Sequence, residues 1–330
     1  MKNIKLVLLM LIISIFATQA HTVEVTQKLT QQDITRTVNN IITVLDTNYI
    51  FPEKTKLLIS ALQQKVTSSE FNRPIKFTEF IKQTGLLMRS ISGDGYIDII
   101  AENSSLVIGH SLSAQEQTKD NFGFDKVEIL SGNIGYVKLN HFYENPNAKL
   151  AAAKAFDHLK ETNAMIIDLR DAEGDSLSLV QFMMSFFVAD KSKLGDILYD
   201  RQTQKVGLWS SENISNSHFN SNFPLYILTS AFIAGSGEFF TYTLKHLDKA
   251  VVVGEKTMGV AYISKKLRVN EFISINLPIA IPIHPVTNSN WEQEGVVPDY
   301  DTKANASFEL AYNLAKTYLR STNGYKNNTQ

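Results

Sequence analysis

Cysteine is absent from the 330-residue sequence. Its absence excludes disulfide bonds, thiolate zinc sites, iron–sulfur ligation and thiol nucleophiles, so packing alone must hold the fold together. An excess of one charge is also lacking, because 32 Lys and Arg face 33 Asp and Glu and leave a formal net charge of -1. Nucleic acid or an anionic lipid surface calls for a basic stripe, and the sequence has none.

Several common catalytic motifs are missing as well. The sequence contains no G-x-x-x-x-G-K-[ST], no G-x-G-x-x-G after a strand pattern, no H-E-x-x-H and no G-x-S-x-G. These absences argue against a phosphate-binding loop, a dinucleotide turn, a zinc-protease helix and a hydrolase elbow. The seven histidines lack the spacing of metal ligands: His21, His110, His141, His158, His218, His246 and His284. The sequence therefore predicts no metal and no cofactor.

The first twenty residues have the layout of a secretory signal peptide. Lys2 and Lys5 precede an apolar run over residues 6–16, and small and polar residues follow up to Ala20. The run is shorter than a membrane span needs, and the small residue at its end favours cleavage after Ala20. A retained membrane anchor is the alternative, because Thr18 is less typical than alanine at its position. We expect an exported protein, periplasmic or secreted, with no membrane span after signal removal.

The rest of the chain divides into a helical part and an alternating part. Apolar residues recur at helical spacing over residues 21–92, with Asp33 as a candidate cap and Pro52 suited to a first turn. These features predict a three-helix bundle over 21–92, followed by an α/β core over 93–320 and a flexible tail over 321–330. The predicted strands of the core cover residues 96–100, 126–130, 134–139, 164–167, 225–228 and 250–253, and its helices cover 147–161, 177–188, 237–247 and 305–319.

Four turns at element boundaries carry unusual residues. They are residues 92–96, 168–175, 230–238 and 291–299. The second and the third each follow an apolar strand pattern and open a helical one, where backbone N–H groups can point at an anion or oxyanion. Any one of the four, taken alone, is typical of an ordinary loop.

Taken in order, these turns resemble the motifs of the tail-specific, or carboxyl-terminal processing, serine peptidases. The likeness is to the branch that includes interphotoreceptor retinoid-binding protein repeats and the tricorn core, over roughly residues 30–318. The resemblance implies an α/β fold in which the bundle precedes a spiral β-β-α core of the Clp protease and crotonase kind, without a PDZ insert. The segments that carry it are Gly93-Asp94-Gly95-Tyr96, residues 168–175, Leu228-Thr229-Ser230 through Glu238, Gly254-Glu255-Lys256-Thr257-Met258-Gly259 and residues 291–299.

The resemblance also implies where the reactive side chains belong, and the main positions are substituted. The family's nucleophilic serine falls at Gly235, which has no side chain. Its histidine base falls at Tyr96, whose phenol has an ordinary pKa of about 10 and is a poor base near neutral pH. The lysine of the other branch falls at Val260. Loss of one such group costs about 10⁴ to 10⁶ in rate, so peptidase turnover is hard to support.

The other implied positions are mixed. Glu292 matches the glutamate that orients or polarises the family's site. The oxyanion and peptide-binding turn is implied at Gly174, Asp175 and Ser236, although Asp175 replaces the second glycine of the motif and Ala172 replaces its asparagine.

Three functions follow from these residues as alternatives. The first is a catalytically degenerate member that binds a peptide or protein C-terminal tail without cutting it. The second is an active peptidase in which Ser236 is displaced into the site with Lys256 or Tyr96 as its base, although Ser236 is more typical of a helix cap. The third is a carrier of a hydrophobic small molecule, in a pocket lined by residues that otherwise suit a packed core: Phe232, Ile233, Phe239 and Phe240.

Overall fold

The computed structural model describes residues 28–102, 113–199, 201, 203–214, 219 and 222–327. The predicted signal peptide lies outside these ranges, as do His21, His110 and His218. Every helix within them is too short or too polar to span a bilayer.

Seven of the eight helices among the described residues lie near their predicted positions and differ at their ends. The helix over residues 114–119 was not predicted, and the last helix continues to Asn327, into the segment predicted as a flexible tail. The sequence predicts Asp33 as the cap of the first helix, whereas Thr30 is the cap and Asp33 is its partner in a capping box. Pro52 begins the second helix, as predicted. The helices are α1 (Gln31–Asn48), α2 (Pro52–Thr67), α3 (Phe77–Ser92), α4 (Ala114–Lys119), α5 (Pro146–His158), α6 (Leu177–Met184), α7 (Ser236–His246) and α8 (Ala304–Asn327).

Two larger sheets and one small one contain the strands. These strands are β1 (Lys28–Leu29), β2 (Ile75–Lys76), β3 (Asp98–Ala101), β4 (Phe124–Leu130), β5 (Ile134–Leu139), β6 (Ala164–Asp168), β7 (Lys193–Tyr199), β8 (Gln204–Trp209), β9 (Leu225–Thr229), β10 (Val251–Gly254), β11 (Ile263–Arg268), β12 (Ile273–Ile283) and β13 (Tyr300–Asp301).

The six-stranded sheet has the order β13-β10-β9-β6-β5-β4, and its pairs are parallel except for the hairpin of β4 and β5. In the second sheet, β12 pairs with β11, β3 and β7, and β8 extends β7, with all pairs antiparallel. Strands and helices thus form layers, which confirms the α/β class.

Three apolar cores lie between these layers. One face of the six-stranded sheet packs against α5, α6 and α7, and the other face packs against α8. The third core joins α1, α2 and α3 to the second sheet, because Ile273, Ile275 and Leu277 of β12 are buried among the helical side chains. The N-terminal helices therefore share a core with the sheet instead of enclosing a separate one.

The parallel order sets the location of the site. Because β6 and β9 are parallel neighbours, their C-terminal ends lie at one edge of the sheet. The turns that follow these strands lead into α6 and α7, so the beginnings of both helices are brought to the same edge.

Candidate functional site

Gly235, the implied nucleophile position, lies in the turn between β9 and α7. It is the N-cap residue of α7 and has φ of 54° and ψ of -116°. Glycine adopts a positive φ without steric cost, whereas a residue with a Cβ is strained there. Because Gly235 offers no side-chain cap, the first N–H groups of α7 need acceptors from elsewhere.

Asp175 supplies one of those acceptors. Its Oδ1 accepts a hydrogen bond from the N–H of Ser236, with an N–O distance of 3.1 Å. A Cβ atom built on Gly235 would lie 2.1 Å from the same oxygen. The N–H of Gly235 donates to the carbonyl of Val260 at 3.2 Å. The carboxylate thus fills the space that a side chain at position 235 would occupy, and both N–H groups of the turn already have acceptors.

Ser236 does not have the surroundings of a nucleophile. Its side chain is buried, and its Oγ accepts a hydrogen bond from the N–H of Ser176 at 2.8 Å. In the part of the chain that the structure describes, no hydrogen bond joins Ser236 to Lys256 or Tyr96, and Lys256 is exposed. The prediction that Ser236 caps its own helix is wrong, because the N-cap position belongs to Gly235.

The implied oxyanion turn contains Gly174 as well as Asp175, and a histidine lies beneath it. Gly174 has φ of 82°, and a Cβ built there would lie 2.5 Å from Nε2 of His141. Burial lowers the pKa of His141, and nearby carboxylates such as Glu173 offset this partly. His141 has no assigned role in the sequence prediction. His141 follows β5, and the Gly174 turn follows β6, which is the parallel neighbour of β5. The position of His141 just after a predicted strand is the feature of the sequence that could have placed it near this turn.

Tyr96 and Glu292 lie together although 196 positions separate them. The Tyr96 hydroxyl donates to Oε2 of Glu292 at 2.7 Å. The same oxygen accepts the N–H of Ala261 at 3.0 Å. Burial raises the pKa of Tyr96 well above its ordinary value, and the hydrogen bond and charge of Glu292 raise it further. The phenol therefore stays protonated near neutral pH and cannot accept a proton from a nucleophile.

Three consecutive residues connect the separate motifs. Val260 accepts the Gly235 N–H, Ala261 donates to Glu292, and Tyr262 lies with its ring centroid 5.5 Å from that of Tyr96. Residues 260–262 therefore form one wall between the nucleophile position and the base position. Val260 itself offers no titratable group in place of the family's lysine.

Glu238 holds the end of that wall. Its fully buried carboxylate accepts hydrogen bonds from the Thr257 hydroxyl and from the N–H groups of Gly259 and Val260, at 2.5, 2.6 and 2.8 Å. Burial raises the pKa of Glu238, and these hydrogen bonds offset the rise in part. The structure therefore assigns Glu238 a positioning role for which the sequence prediction has no equivalent.

The turn that carries Trp291 and Glu292 follows β12. Trp291 Nε1 donates to the Val260 carbonyl at 3.0 Å, which joins this turn to the wall. At the start of the turn, Nδ1 of the buried His284 faces the N–H groups of Val286 and Thr287, at 3.3 Å each. Burial, and then the neighbouring His246, lower the pKa of His284 to about 4.

Asp168 and Arg170, in the same loop as Asp175, have a structural role. Two nitrogens of the Arg170 guanidinium bind the two oxygens of the fully buried Asp168, at 2.8 and 2.5 Å. Tyr136 also donates to Asp168 at 2.7 Å. Burial alone would raise the pKa of Asp168, but the hydrogen bonds from Arg170 and Tyr136 hold it below its usual range.

A cleft of about 190 Å³ opens at the start of α7. Of the apolar residues predicted to form a ligand pocket, Phe239 lines this cleft, whereas Phe232 is 82% exposed and lines a different depression. Ile233 and Phe240 are fully buried in the core, so the predicted pocket lining is wrong for three of four residues. The cleft is lined by Asp175, Leu177, Gly235, Ser236, Phe239, Ala261, Tyr262, Ile263, Ser264 and Trp291.

Metal binding has no apparent site here. Among the described residues, no three His, Asp or Glu side chains lie close enough together to hold an ion.

Comparisons with known proteins give a family match and several relatives. The family model described as peptidase family S41 matches residues 133–302. The chain is 30% identical to the chloroplastic carboxyl-terminal-processing peptidase 2 of Arabidopsis thaliana over 172 residues, which is 52% of this chain and 32% of that protein. It is 25% identical to a carboxyl-terminal-processing protease of Picosynechococcus sp. over 182 residues, 53% of this chain and 41% of that protein. The chain therefore spans less than half the length of these relatives.

Similarity to a solved structure extends further along the chain. A lipoprotein from Streptococcus agalactiae aligns with a TM-score of 0.61 and 14% identity, over 87% of this chain and 96% of that one. At this identity the likeness concerns the fold alone.

Proposed function

Because this chain belongs to peptidase family S41, we propose that it binds extended peptide tails in the family's cleft and has lost the chemistry that cleaves them. The observation that carries the proposal is the position of the Asp175 carboxylate. It lies against Gly235, where a nucleophile side chain would be, and on the Ser236 N–H, where an oxyanion would bind.

Acyl transfer needs a nucleophile, a base and a preorganised oxyanion hole. Gly235 supplies no nucleophile, and the protonated hydroxyl of Tyr96 donates to Glu292. The Ser236 N–H faces an anion already, and that anion would repel the negative charge that develops on the substrate oxygen. Loss of one oxyanion donor alone costs about 10² to 10³ in rate, so three such losses leave no measurable turnover.

Peptide binding is supported by what remains of the site. Tyr262 and Trp291 still line a cleft at the sheet edge where ligands of such folds bind. The backbone N–H groups of Gly174 and Asp175 have no acceptor among the described residues. They can therefore donate hydrogen bonds to a carbonyl of a bound peptide.

The two alternative functions have less support. An active Ser236 would need a base, and its Oγ accepts an N–H from Ser176 instead of contacting one. A hydrophobic small-molecule carrier would need a larger cavity, because drug-sized ligands occupy about 300 Å³ or more. The cleft has about 190 Å³.

A cleavage and binding experiment tests the proposal. We would incubate the purified protein with a pool of unstructured peptides, follow cleavage by mass spectrometry, and measure binding of fluorescein-labelled peptides by anisotropy. We expect binding in the absence of cleavage, and no cleavage by Ser236→Ala either. Cleavage that disappears in Ser236→Ala would refute the proposal in favour of the displaced nucleophile.

A matched pair of variants locates the binding. Ile263→Trp fills the cleft and is expected to abolish peptide binding. Leu150→Trp adds the same side chain at a position of α5 that is 60% exposed, and binding should persist. Equal binding by both variants would contradict the assignment of peptides to this cleft.

We also propose the finer organisation and location of the protein. In this proposal residues 1–20 are a cleaved export signal, residues 21–92 form a helical bundle, and residues 93–320 form a spiral β-β-α core without a PDZ insert. The support is the charge and apolar pattern of the first twenty residues and the position of the three long helices α1, α2 and α3 before the strands of the two larger sheets. Immunoblotting of periplasmic and culture fractions, with the mature N-terminus read by mass spectrometry, tests the export.

A further inference from the structure

The walls of the cleft differ in chemistry from an ordinary apolar pocket. Aromatic rings of Phe239, Tyr262 and Trp291 contribute to its lining, together with the carboxylate of Asp175. No Lys or Arg side chain is among the lining residues. Aromatic faces and a carboxylate are the groups that attract an organic cation, because the ring quadrupole is negative at its face.

The Asp175 carboxylate has unused acceptor capacity. Oδ1 accepts the Ser236 N–H, whereas Oδ2 has no hydrogen-bond donor among the described residues. A carboxylate offers about four acceptor positions, so the side chain can bind a further donor without losing its contact to α7. The N-terminus of α7 carries about half a positive charge, which leaves the charge of Asp175 incompletely balanced.

Among the described residues, no ion pair joins Asp175 to a Lys or Arg side chain, and two nearby groups are carboxylates. Glu144 accepts hydrogen bonds from Ser176 and Ser178, at 2.6 and 2.8 Å, and so adds a second negative charge beside the turn. The charge of Glu173 raises the pKa of His141, but burial lowers that pKa by more. The mouth of the cleft is therefore negative near neutral pH.

The size of the cleft limits the occupant. About 190 Å³ is smaller than the cavities that enclose drug-sized ligands and is suited to a single long side chain. Lys and Arg place apolar stems along apolar surfaces while the charged end reaches a polar group.

We propose that this cleft selects peptides that present a lysine or arginine side chain, with the cationic end bound at Oδ2 of Asp175 and the stem against Tyr262 and Trp291. The inference rests on the proposed function, since it names the class of peptide that the cleft binds. The replacement of the family's second glycine by Asp175 then creates a binding function, because it converts a turn that would bind an oxyanion into one that binds a cation.

Matched peptides test the selectivity. Three octapeptides with fluorescein on the N-terminus and a free C-terminus would differ at one central residue, which is lysine, acetyl-lysine or leucine. By anisotropy we expect the lysine peptide to bind at least tenfold more tightly than the acetyl-lysine peptide. Asp175→Asn keeps an oxygen to accept the Ser236 N–H and removes the charge, so it should abolish the difference. Asp171→Asn, an exposed carboxylate of the same loop that lies outside the cleft lining, should keep it.

The possible outcomes separate the inference from the proposed function. Equal binding of all three peptides, lost in Ile263→Trp, would overturn the cation selectivity and leave the peptide-binding function intact. A lysine preference that persists in Asp175→Asn would also overturn it, because the charge would then come from elsewhere. Failure of all three peptides to bind would overturn both.

Discussion

Replacement of Gly235 by alanine is expected to destabilise the protein by an amount that depends on Asp175. The new Cβ has two costs. It must adopt φ of 54°, and it must displace the carboxylate oxygen that lies 2.1 Å from its position. The side chain of Asp175 is exposed, so its carboxylate can rotate away from the new Cβ. Its hydrogen bond with the Ser236 N–H is then lost.

The two costs can be weighed separately. The Gly235 conformation, with φ of 54° and ψ of -116°, lies outside the left-handed helical region and costs about 1–3 kcal/mol for a residue with a Cβ. Loss of a capping hydrogen bond at a helix N-terminus costs about 1 kcal/mol. Gly235→Ala should therefore cost about 2–4 kcal/mol and Asp175→Ala about 1 kcal/mol. The double variant can lose the shared hydrogen bond once, so its cost should fall short of the sum by about 1 kcal/mol.

Urea unfolding followed by tryptophan fluorescence measures this coupling, provided that the m-values agree among the variants. Gly93→Ala is a control for additivity at a second glycine of positive φ, although Gly93 lies in the left-handed helical region and Gly235 does not. Gly93 has φ of 61°, and a Cβ built there meets no atom within 4 Å. It should therefore show the conformational cost alone and combine additively with Asp175→Ala. Additivity of Gly235→Ala with Asp175→Ala to within about 0.5 kcal/mol would refute the claim that Asp175 fills the nucleophile position.

Two further outcomes are expected. The double variant Tyr96→His with Gly235→Ser should show no cleavage of peptides by mass spectrometry. Addition of Asp175→Gly to this variant should allow measurable cleavage. Activity in the double variant would contradict the blocking role of the Asp175 carboxylate. The pKa of His284 is about 4 in the fold and about 6.5 in the unfolded chain, so the unfolded state takes up the proton first as pH falls. Stability should therefore be fully present above pH 6.5 and decrease by up to about 3 kcal/mol as pH falls to 4. Urea midpoints measured across this window should depend less on pH in His284→Gln than in the exposed-site control His158→Gln, and equal slopes would argue against the assignment.

Much of the fold could be predicted from apolar patterns, and the exceptions have physical reasons. β6 and β9 are short apolar runs bounded by turn residues, and both are found where predicted. β12 has Pro278 and Pro282 within it, and proline ordinarily argues against a strand interior. β11 carries Lys265, Lys266 and Arg268, so its pattern is typical of a solvated loop. Most of the second sheet was therefore not predictable from its own residues.

The site was predictable in its positions and not in its contacts. Motif order brought Tyr96, Gly235 and Glu292 to attention, and the structure brings Tyr96 into contact with Glu292. The occupation of the Gly235 turn by Asp175 depends on a side-chain rotamer and on the close approach of two helix starts about sixty residues apart. Neither quantity has a signature in the spacing of residues. The sequence could therefore indicate a glycine at the implied nucleophile position but not the carboxylate that lies against it.

The long strand β12 has a mechanical consequence. It has eleven residues, which corresponds to roughly 35 Å at about 3.3 Å per residue. The side chains of its first half pack against α1, and its C-terminal end leads into the turn that carries Trp291. Because β12 is hydrogen-bonded to three other strands, it should resist bending. We therefore expect a displacement of the N-terminal helices to reach the turn that carries Trp291 through β12, because one strand belongs to both regions.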